Sequence, residues 1–145
     1  MIKNNLKIIL FCLSMSFLTA CKNDEMVIGT FQEFPPEIEG CACYFSNNEK
    51  EFQMEKYICV DDYFKNAYVI INDKKIKFKS VEASVSVKGK YKHWTKTFKS
   101  EKHQMIIEML QTGEIDETQQ QKGTITIKSN DGNQVKIPFV GECGC

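Results

Sequence analysis

Apolar and polar residues alternate along most of the chain beyond residue 40, with the period of two that is typical of half-buried β-strands. Ile76 and Phe78 are separated by lysines, and from Val81 to Val87 the alternation continues one residue out of phase. A slip of one residue exchanges the two faces of a strand, so we expect a bulge or bend between these two runs.

Polar segments that favour turns separate the alternating runs. Asn72-Asp73 follows an apolar run, and the segment 129–133, which contains Asp131-Gly132, lies between two further runs. Asp-Gly between two alternating runs is a strong signal for a β-hairpin. The polar segment 114–122 is predicted to be a loop.

Residues 101–111 fit two patterns. Met105, Ile106, Met109 and Leu110 have the spacing of one helical face, but the surrounding chain is β in character. We favour a strand here. The sequence thus predicts a single all-β domain, an antiparallel sandwich or small barrel of about seven or eight strands.

The N-terminal segment has the features of an export signal. A basic start is followed by an uncharged apolar run from Ile8 to Leu18, shorter than the roughly 20 residues of a membrane-spanning helix. Leu18-Thr19-Ala20-Cys21 then resembles the lipobox of bacterial lipoproteins. The resemblance implies that residues 1–20 are a signal peptide and that Cys21 carries a diacylglycerol thioether, with palmitate-type acyl chains as the membrane anchor. The alternative is an ordinary secretory signal followed by an unmodified Cys21.

Residues 21–39 are predicted to be a lipidated tether, stiffened by Pro35 and Pro36, and residues 40–145 the globular domain. Lys22-Asn23-Asp24-Glu25 is similar to the acidic export signals of surface lipoproteins in Bacteroidota, although a solvated linker explains the same residues. Lys22 in place of an aspartate after the lipidated cysteine favours the outer membrane. The periplasmic and the surface face both stay open.

Removal of Cys12 with the signal peptide and lipidation of Cys21 leave five of the seven cysteines. Alternate residues of a strand share one face, so each Cys-x-Cys pair presents two sulfurs to one side. If the first and last strands are antiparallel neighbours, they join Cys41 to Cys145 and Cys43 to Cys143. The domain is then disulfide-clamped, which suits an oxidising compartment.

Two alternatives to this clamp stay open. Four thiolates in two Cys-x-Cys pairs are also a ligand set for Zn²⁺ or Cu⁺ in a metal-handling protein. A different connectivity would join Cys59 to Cys41 or Cys43. In the favoured scheme no metal is bound, and Cys59, in an apolar run, is a buried free thiol.

The composition argues against several classes of function. The chain contains no arginine, and removal of Lys3 and Lys7 with the signal leaves 17 basic against 19 acidic residues, a net charge of −2. An exported protein without arginine is a poor candidate for binding nucleic acid. His93 and His103 lie in no metal or catalytic motif, and Asp61-Asp62 is predicted to be a solvated turn instead of a Ca²⁺ site. We therefore expect neither an enzyme nor a cofactor.

The segment 88–99 combines lysines with aromatic residues. Lys90, Lys92, Trp94 and Lys96 fall on one strand face, and they are a candidate surface for an anionic glycan or an acidic envelope protein. The alternative is an edge strand guarded by lysines, with Trp94 turned inward. The sequence thus favours a membrane-anchored, non-enzymatic binding or structural module of the envelope. A periplasmic inhibitor or immunity protein and the metal-handling protein are the alternatives.

Overall fold

The structure, a computed structural model, describes residues 25–63 and 65–145. In this part of the chain it contains nine strands and one short helix. These are β1 (Ile28–Gly29), β2 (Ala42–Ser46), α1 (Glu49–Gln53), β3 (Cys59–Asp61), β4 (Asn66–Ile71), β5 (Lys74–Lys88), β6 (Tyr91–Lys99), β7 (His103–Ile115), β8 (Thr118–Ser129) and β9 (Gln134–Gly144).

Strands β2 to β9 form a closed, up-and-down barrel of eight strands. Each strand pairs antiparallel with the next along the chain, and β9 pairs back with β2 to complete the circuit. The two-residue β1 lies outside this circuit and pairs with the end of β4. The expected all-β antiparallel fold is confirmed, and of the two predicted architectures the barrel is the one observed.

The barrel wall is uneven because its strands differ in length. β3 has 3 residues and β4 has 6, whereas β5 has 15 and β7 has 13. The pairing of β4 with β5 runs only from Ile71–Lys74 to Asn66–Lys79. Beyond Lys79, β5 pairs with β6 on one side and with no described strand on the other. This leaves a gap in the wall along the second half of β5.

The bulge predicted from the phase slip is confirmed, because the register of β5 against β6 shifts between Ser80 and Glu82. The Asn72-Asp73 turn is confirmed as well, and both residues have a positive φ, of 48° and 63°. Two residues in this conformation match the twist of a two-residue hairpin. The hairpin at 129–133 joins β8 to β9.

Residues 103–115 form a strand, as favoured by the sequence, but the predicted loop over 114–122 is wrong. The chain reverses at Asp116-Glu117 alone, and Thr118 already pairs with Ile115. The polar content of this segment suggested a loop, yet its backbone is hydrogen-bonded to β7 on one side and to β9 on the other. A paired backbone tolerates polar side chains on both faces when one face is solvent-exposed and the other lines a cavity.

Apolar side chains from every strand of the barrel, and from Ile58 just before β3, fill its interior. The members of this core that are at most 2% exposed include Phe45, Ile58, Val69, Phe78, Phe98, Met105, Ile107, Met109, Ile125 and Ile127. All residues of the cluster and those packed against it lie between positions 26 and 143.

The segment predicted as a tether packs against the barrel over much of its length. β1 pairs with β4, and Phe31 and Ile38 are buried against Val60 and Tyr68 on the outer wall. The predicted boundary at residue 40 therefore falls inside the packed body, because apolar residues between the polar ones bury themselves. The predicted signal peptide 1–20 and the lipidated Cys21 lie outside the described residues. No helix among the described residues is long and apolar enough to cross a membrane.

Candidate ligand-binding cavity

A cavity of about 200 Å³ lies inside the barrel beside the gap in its wall. Ser80 and Ala83 of β5 are solvent-exposed and lie at its rim. The remaining lining residues are Cys43 of β2, Tyr63 of the β3–β4 turn, Trp94, Lys96 and Phe98 of β6, Met109 of β7, Gln119 and Gln121 of β8, and Cys143 of β9. The lining is thus mostly apolar with a few polar groups, as is usual for small-molecule sites.

A buried ion pair between Lys96 and Asp61 lies beside this cavity. The ammonium nitrogen of Lys96 is 3.0 and 3.1 Å from the two carboxylate oxygens of Asp61. Their side chains are only 7% and 1% exposed. Lys96 pairs with Ala83, beyond the last β4–β5 pair, so the ion pair joins β6 to β3 across the gap in the wall.

This arrangement corrects two expectations. Asp61 was predicted in a solvated turn, but it ends the buried strand β3 and points to the interior. The proposed binding surface of Lys90, Lys92, Trp94 and Lys96 is also not exposed as a whole, because Lys96 is buried and Trp94 is half-buried in the cavity lining. Lys92, Trp94 and Lys96 share a strand face that turns toward the barrel interior at Trp94 and Lys96, whereas Lys90 lies in the turn before β6. Lys90 and Lys92 are exposed because they lie at the far end of the β5–β6 hairpin.

The carboxylate of Asp61 also shapes the turn beside the cavity. Its Oδ1 accepts a hydrogen bond of 2.8 Å from the backbone N–H of Tyr63. Tyr63 has a φ of 74°, a conformation that a bulky residue rarely adopts unless its surroundings hold it. Its ring centroid is 5.3 Å from the Lys96 ammonium, within range of a cation–π contact. Asp61 therefore holds both Lys96 and Tyr63 in place.

Burial dominates the electrostatics of this region. It raises the pKa of the Asp61 carboxyl, and the Lys96 ammonium opposes that shift by stabilising the charged form. Burial also raises the pKa of Tyr63. The free thiol of Cys59 is fully buried, and this burial raises its pKa well above the usual range. The prediction of a buried free thiol is confirmed, and a thiol in this state is a poor nucleophile.

Two neighbouring glutamines of β8 carry buried amide oxygens that have no hydrogen-bond partner among the described residues, Gln120 and Gln121. Consecutive residues of a strand point to opposite faces. Gln121 is only 3% exposed and lines the cavity, whereas Gln120 lies on the other face, where its amide nitrogen donates to the Thr118 hydroxyl. Gln121 thus contributes to the cavity wall, while its amide oxygen is closed off from solvent.

The two predicted disulfides are confirmed. Cys41 is joined to Cys145 and Cys43 to Cys143, so both bridges lie across the seam where the first and last barrel strands pair. Cys43 and Cys143 also line the cavity, and the Cys43 sulfur is 3.9 Å from the Lys96 ammonium nitrogen. Because these four sulfurs are bonded in pairs, they present no thiolates to a metal ion. The described residues contain no group of three or more side chains arranged to hold one.

Sequence reasoning missed Asp61, Tyr63 and the glutamines of β8 as parts of one site. One signal was present, because Lys96 shares a strand face with Trp94 and Phe98. A lysine on an apolar face requires a buried partner of opposite charge, which predicts a carboxylate inside the barrel. Choosing Asp61 from nineteen acidic residues required the barrel itself.

No protein-family model, curated protein or solved structure matches this chain. The features that bear on function are the gap in the wall, the apolar lining of the cavity and the buried ion pair beside it.

Proposed function

We propose that this chain is a membrane-anchored lipoprotein whose barrel is a non-enzymatic binding module for a small molecule. The observation that carries the proposal is the cavity of about 200 Å³ that opens beside β5. The interior of an eight-stranded barrel is just wide enough to be filled by side chains or to hold one small ligand. Here large side chains fill one part, and the part next to the gap is left as a cavity.

The lipobox-like segment that ends at Cys21 supports the anchor. Seven residue steps separate Cys21 from Ile28, the start of the chain that pairs with the barrel (28 − 21). Such a segment spans at most about 25 Å when fully extended. An anchored barrel is therefore held close to the bilayer surface, where small apolar molecules accumulate. This proximity fits a binding function in the envelope, and the absence of an aspartate after Cys21 favours the outer membrane.

Three features favour binding over catalysis. The free thiol of Cys59 is buried and has a raised pKa, so it is a poor nucleophile. Neither His93 nor His103 lines the cavity. Lys96, the charged residue of the lining, is engaged with Asp61. A general base or nucleophile facing the cavity would be expected of an enzyme.

The alternatives differ in how well the geometry suits them. A metal-handling protein is disfavoured because the four sulfurs of the Cys-x-Cys pairs are in disulfides. A periplasmic inhibitor or immunity protein belongs to the same broad class of binding proteins. It would use an exposed surface to dock a protein and would leave the cavity without a role.

The test is to identify what the protein carries when it is isolated from its own membranes. Purified protein is extracted with organic solvent, and the extract is analysed by mass spectrometry. Ala83→Phe places a large ring at the rim of the cavity, and Ser84→Phe places the same ring on the opposite face of β5 as a control. We expect a stoichiometric small molecule with wild type and Ser84→Phe that is depleted in Ala83→Phe. Identical extracts from all three proteins would refute the binding function.

A further inference from the structure

The second half of β5 is an open edge of the sheet. Beyond Lys79 no described strand pairs with this side of β5, so alternate residues of the segment 81–88 direct backbone N–H and C=O groups toward open space. We propose that this edge pairs antiparallel with the same edge of a second copy of the chain and thereby joins two barrels through one continuous sheet. The inference goes beyond the proposed binding function and does not depend on occupancy of the cavity.

The side chains along this edge are apolar and exposed. All residues from 81 to 90 are exposed, and the exposed fractions of Val81, Val85 and Val87 are 56%, 51% and 65%. The segment 81–88 contains no proline and only one lysine, at its end. Proteins usually protect a free edge with lysines, proline or a very short strand, and a long apolar edge without such protection is a template for pairing with another strand.

The charges of the segment select one register. A two-fold axis perpendicular to the sheet places opposite each other the residues that lie equally far before and after a central residue. With Val85 at the centre, Glu82 of each copy lies opposite Lys88 of the other (85 − 3 and 85 + 3). These are the only charged residues of the segment 81–88, and neither forms an ion pair with another described residue. Opposite charges across a sheet stabilise the pairing, whereas a centre at Ser84 would place both charges opposite serines.

The same register matches the apolar side chains. Val85 meets its own counterpart at the two-fold axis, and Val87 of each copy lies opposite Ala83 of the other. The pairing with β6 is regular from Glu82 to Lys88, so these alternate residues share one face of β5. Ala83 lies at the rim of the cavity. The hairpin of one copy therefore supplies a strand where the wall of the other copy is incomplete.

The position of the N-terminal segment favours a second copy over the membrane as the partner of this edge. β1 pairs with Ile71, at the end of β4 that adjoins Lys74, the first residue of β5. Lys88 lies 14 residue steps further along β5 (88 − 74), up to about 46 Å away. The open edge thus extends away from the segment that leads to the proposed lipid anchor. Antiparallel pairing places the two barrels at opposite ends of the shared sheet.

Engineered cysteines test the contact and its register in the full chain, produced in bacterial cells. Directly opposed residues of an antiparallel pair have Cα atoms about 4.5–5.5 Å apart, within the range of a disulfide. Val85→Cys should therefore give a cross-linked dimer on a non-reducing gel, because this residue lies opposite itself. Val87→Cys is the matched control: the same residue type is changed on the same face at a more exposed position, yet its two copies would lie about 13 Å apart along the strands. Ala83→Cys produced together with Val87→Cys should cross-link, although neither variant does so alone.

Reversal of the charges tests the complementarity. In the Val85→Cys background, Glu82→Lys or Lys88→Glu alone turns two opposite-charge contacts into like-charge contacts. We expect either change to weaken association roughly tenfold and to lower the cross-linked fraction accordingly. The two reversals together restore opposite charges and should restore the cross-linked fraction.

Four results would overturn the proposal. Equal cross-linking of Val85→Cys and Val87→Cys would indicate random collision of exposed cysteines, and cross-linking of neither would show that the edges do not meet. A Val85→Cys product whose mass corresponds to one copy joined to a different protein would exclude a second copy as the occupant. A double charge reversal that fails to restore cross-linking would refute the register centred on Val85. None of these results bears on the cavity, so the binding function stands or falls separately with the extracts of Ala83→Phe.

Discussion

Replacing Lys96 with methionine removes the ammonium group from the buried ion pair and keeps a side chain of similar length. The Asp61 carboxylate is left behind without its counter-charge, and its side chain is 1% exposed. It keeps the 2.8 Å hydrogen bond from the backbone N–H of Tyr63. Because the pair bridges the gap between β3 and β6, the substitution also weakens the barrel where its wall is incomplete.

The expected loss follows from the burial of the pair. Removing one partner of a buried ion pair lowers the free energy of unfolding by about 3–5 kcal/mol, because an uncompensated charge stays behind. Replacing both partners avoids that penalty. The double variant Lys96→Met/Asp61→Asn keeps an oxygen that accepts the Tyr63 N–H, so we expect it to recover most of the loss.

The loss should also depend on pH. Burial already raises the pKa of Asp61, and without Lys96 the hydrogen bond from the Tyr63 backbone N–H is the remaining interaction that opposes this shift. A raised pKa means that the folded state binds the proton of Asp61 more tightly than the unfolded chain, in which the pKa of an aspartate is about 3.9. Protonation of Asp61 therefore stabilises the folded state at low pH, and this stabilisation is lost as the pH rises through the folded-state pKa. The variant should therefore be least stable relative to wild type at neutral pH, and the difference should narrow as the pH falls toward 4.

Urea unfolding followed by Trp94 fluorescence, with the disulfides intact, measures these differences at several pH values. Wild type and the Asp61→Asn single variant complete the double-mutant cycle. A free energy of unfolding for Lys96→Met within about 0.5 kcal/mol of wild type at neutral pH would refute the reasoning. A double variant no more stable than Lys96→Met would do the same, since the penalty would not come from the isolated carboxylate.

Three further predictions concern the cysteines. In the folded protein Cys59 should resist alkylation by iodoacetamide, because its thiol is buried and has a raised pKa. In denaturant the protein should take up a single alkyl group at Cys59. Rapid labelling of the native protein, detected by intact mass, would contradict this. Replacing all four of Cys41, Cys43, Cys143 and Cys145 by alanine should lower the free energy of unfolding by about 4–5 kcal/mol in the chain-entropy model. Removing either bridge alone should have a smaller effect, because the other bridge still closes a loop of about 100 residues. Equal losses from removing one bridge and both bridges, measured by urea unfolding, would argue against this. Cys21→Ala should move the protein from the membrane to the soluble fraction, and an unchanged distribution after fractionation would count against the lipid anchor.

Much of the barrel could be predicted from the sequence because most of its strands are joined by short connections and pair with their neighbours in the chain. Alternation, turn residues and the phase slip near Ser80 are local signals, and each corresponds to a hairpin or a bulge. The two Cys-x-Cys pairs added the long-range contact that the other signals lacked. A single face-to-face register of β2 and β9 satisfies both disulfides, and this register closes the barrel.

The site could not be predicted in the same way because it depends on differences in strand length. Lys96 reaches Asp61 only because β4 stops pairing with β5 at Asn66–Lys79, and no local pattern encodes that limit. The same holds for Gln121, which lies in a glutamine-rich segment that suggested a loop. The packing of residues 28–38, within the predicted tether 21–39, was missed for a related reason, since a few buried side chains outweigh a polar composition.

The most direct test of the binding function is the location of a bound probe by NMR. Methyl groups of the methionines are labelled, and nuclear Overhauser contacts from cyclohexanol are measured. Met109 lines the cavity and is 2% exposed, whereas Met54 lies on the surface and is 53% exposed. If the cavity is the binding site, the ring protons of cyclohexanol, a small apolar probe, will show contacts to the Met109 methyl and the Trp94 indole, and Ala83→Phe will abolish them. Contacts to Met54 alone, or contacts to Met109 that survive in Ala83→Phe, would refute binding in the cavity.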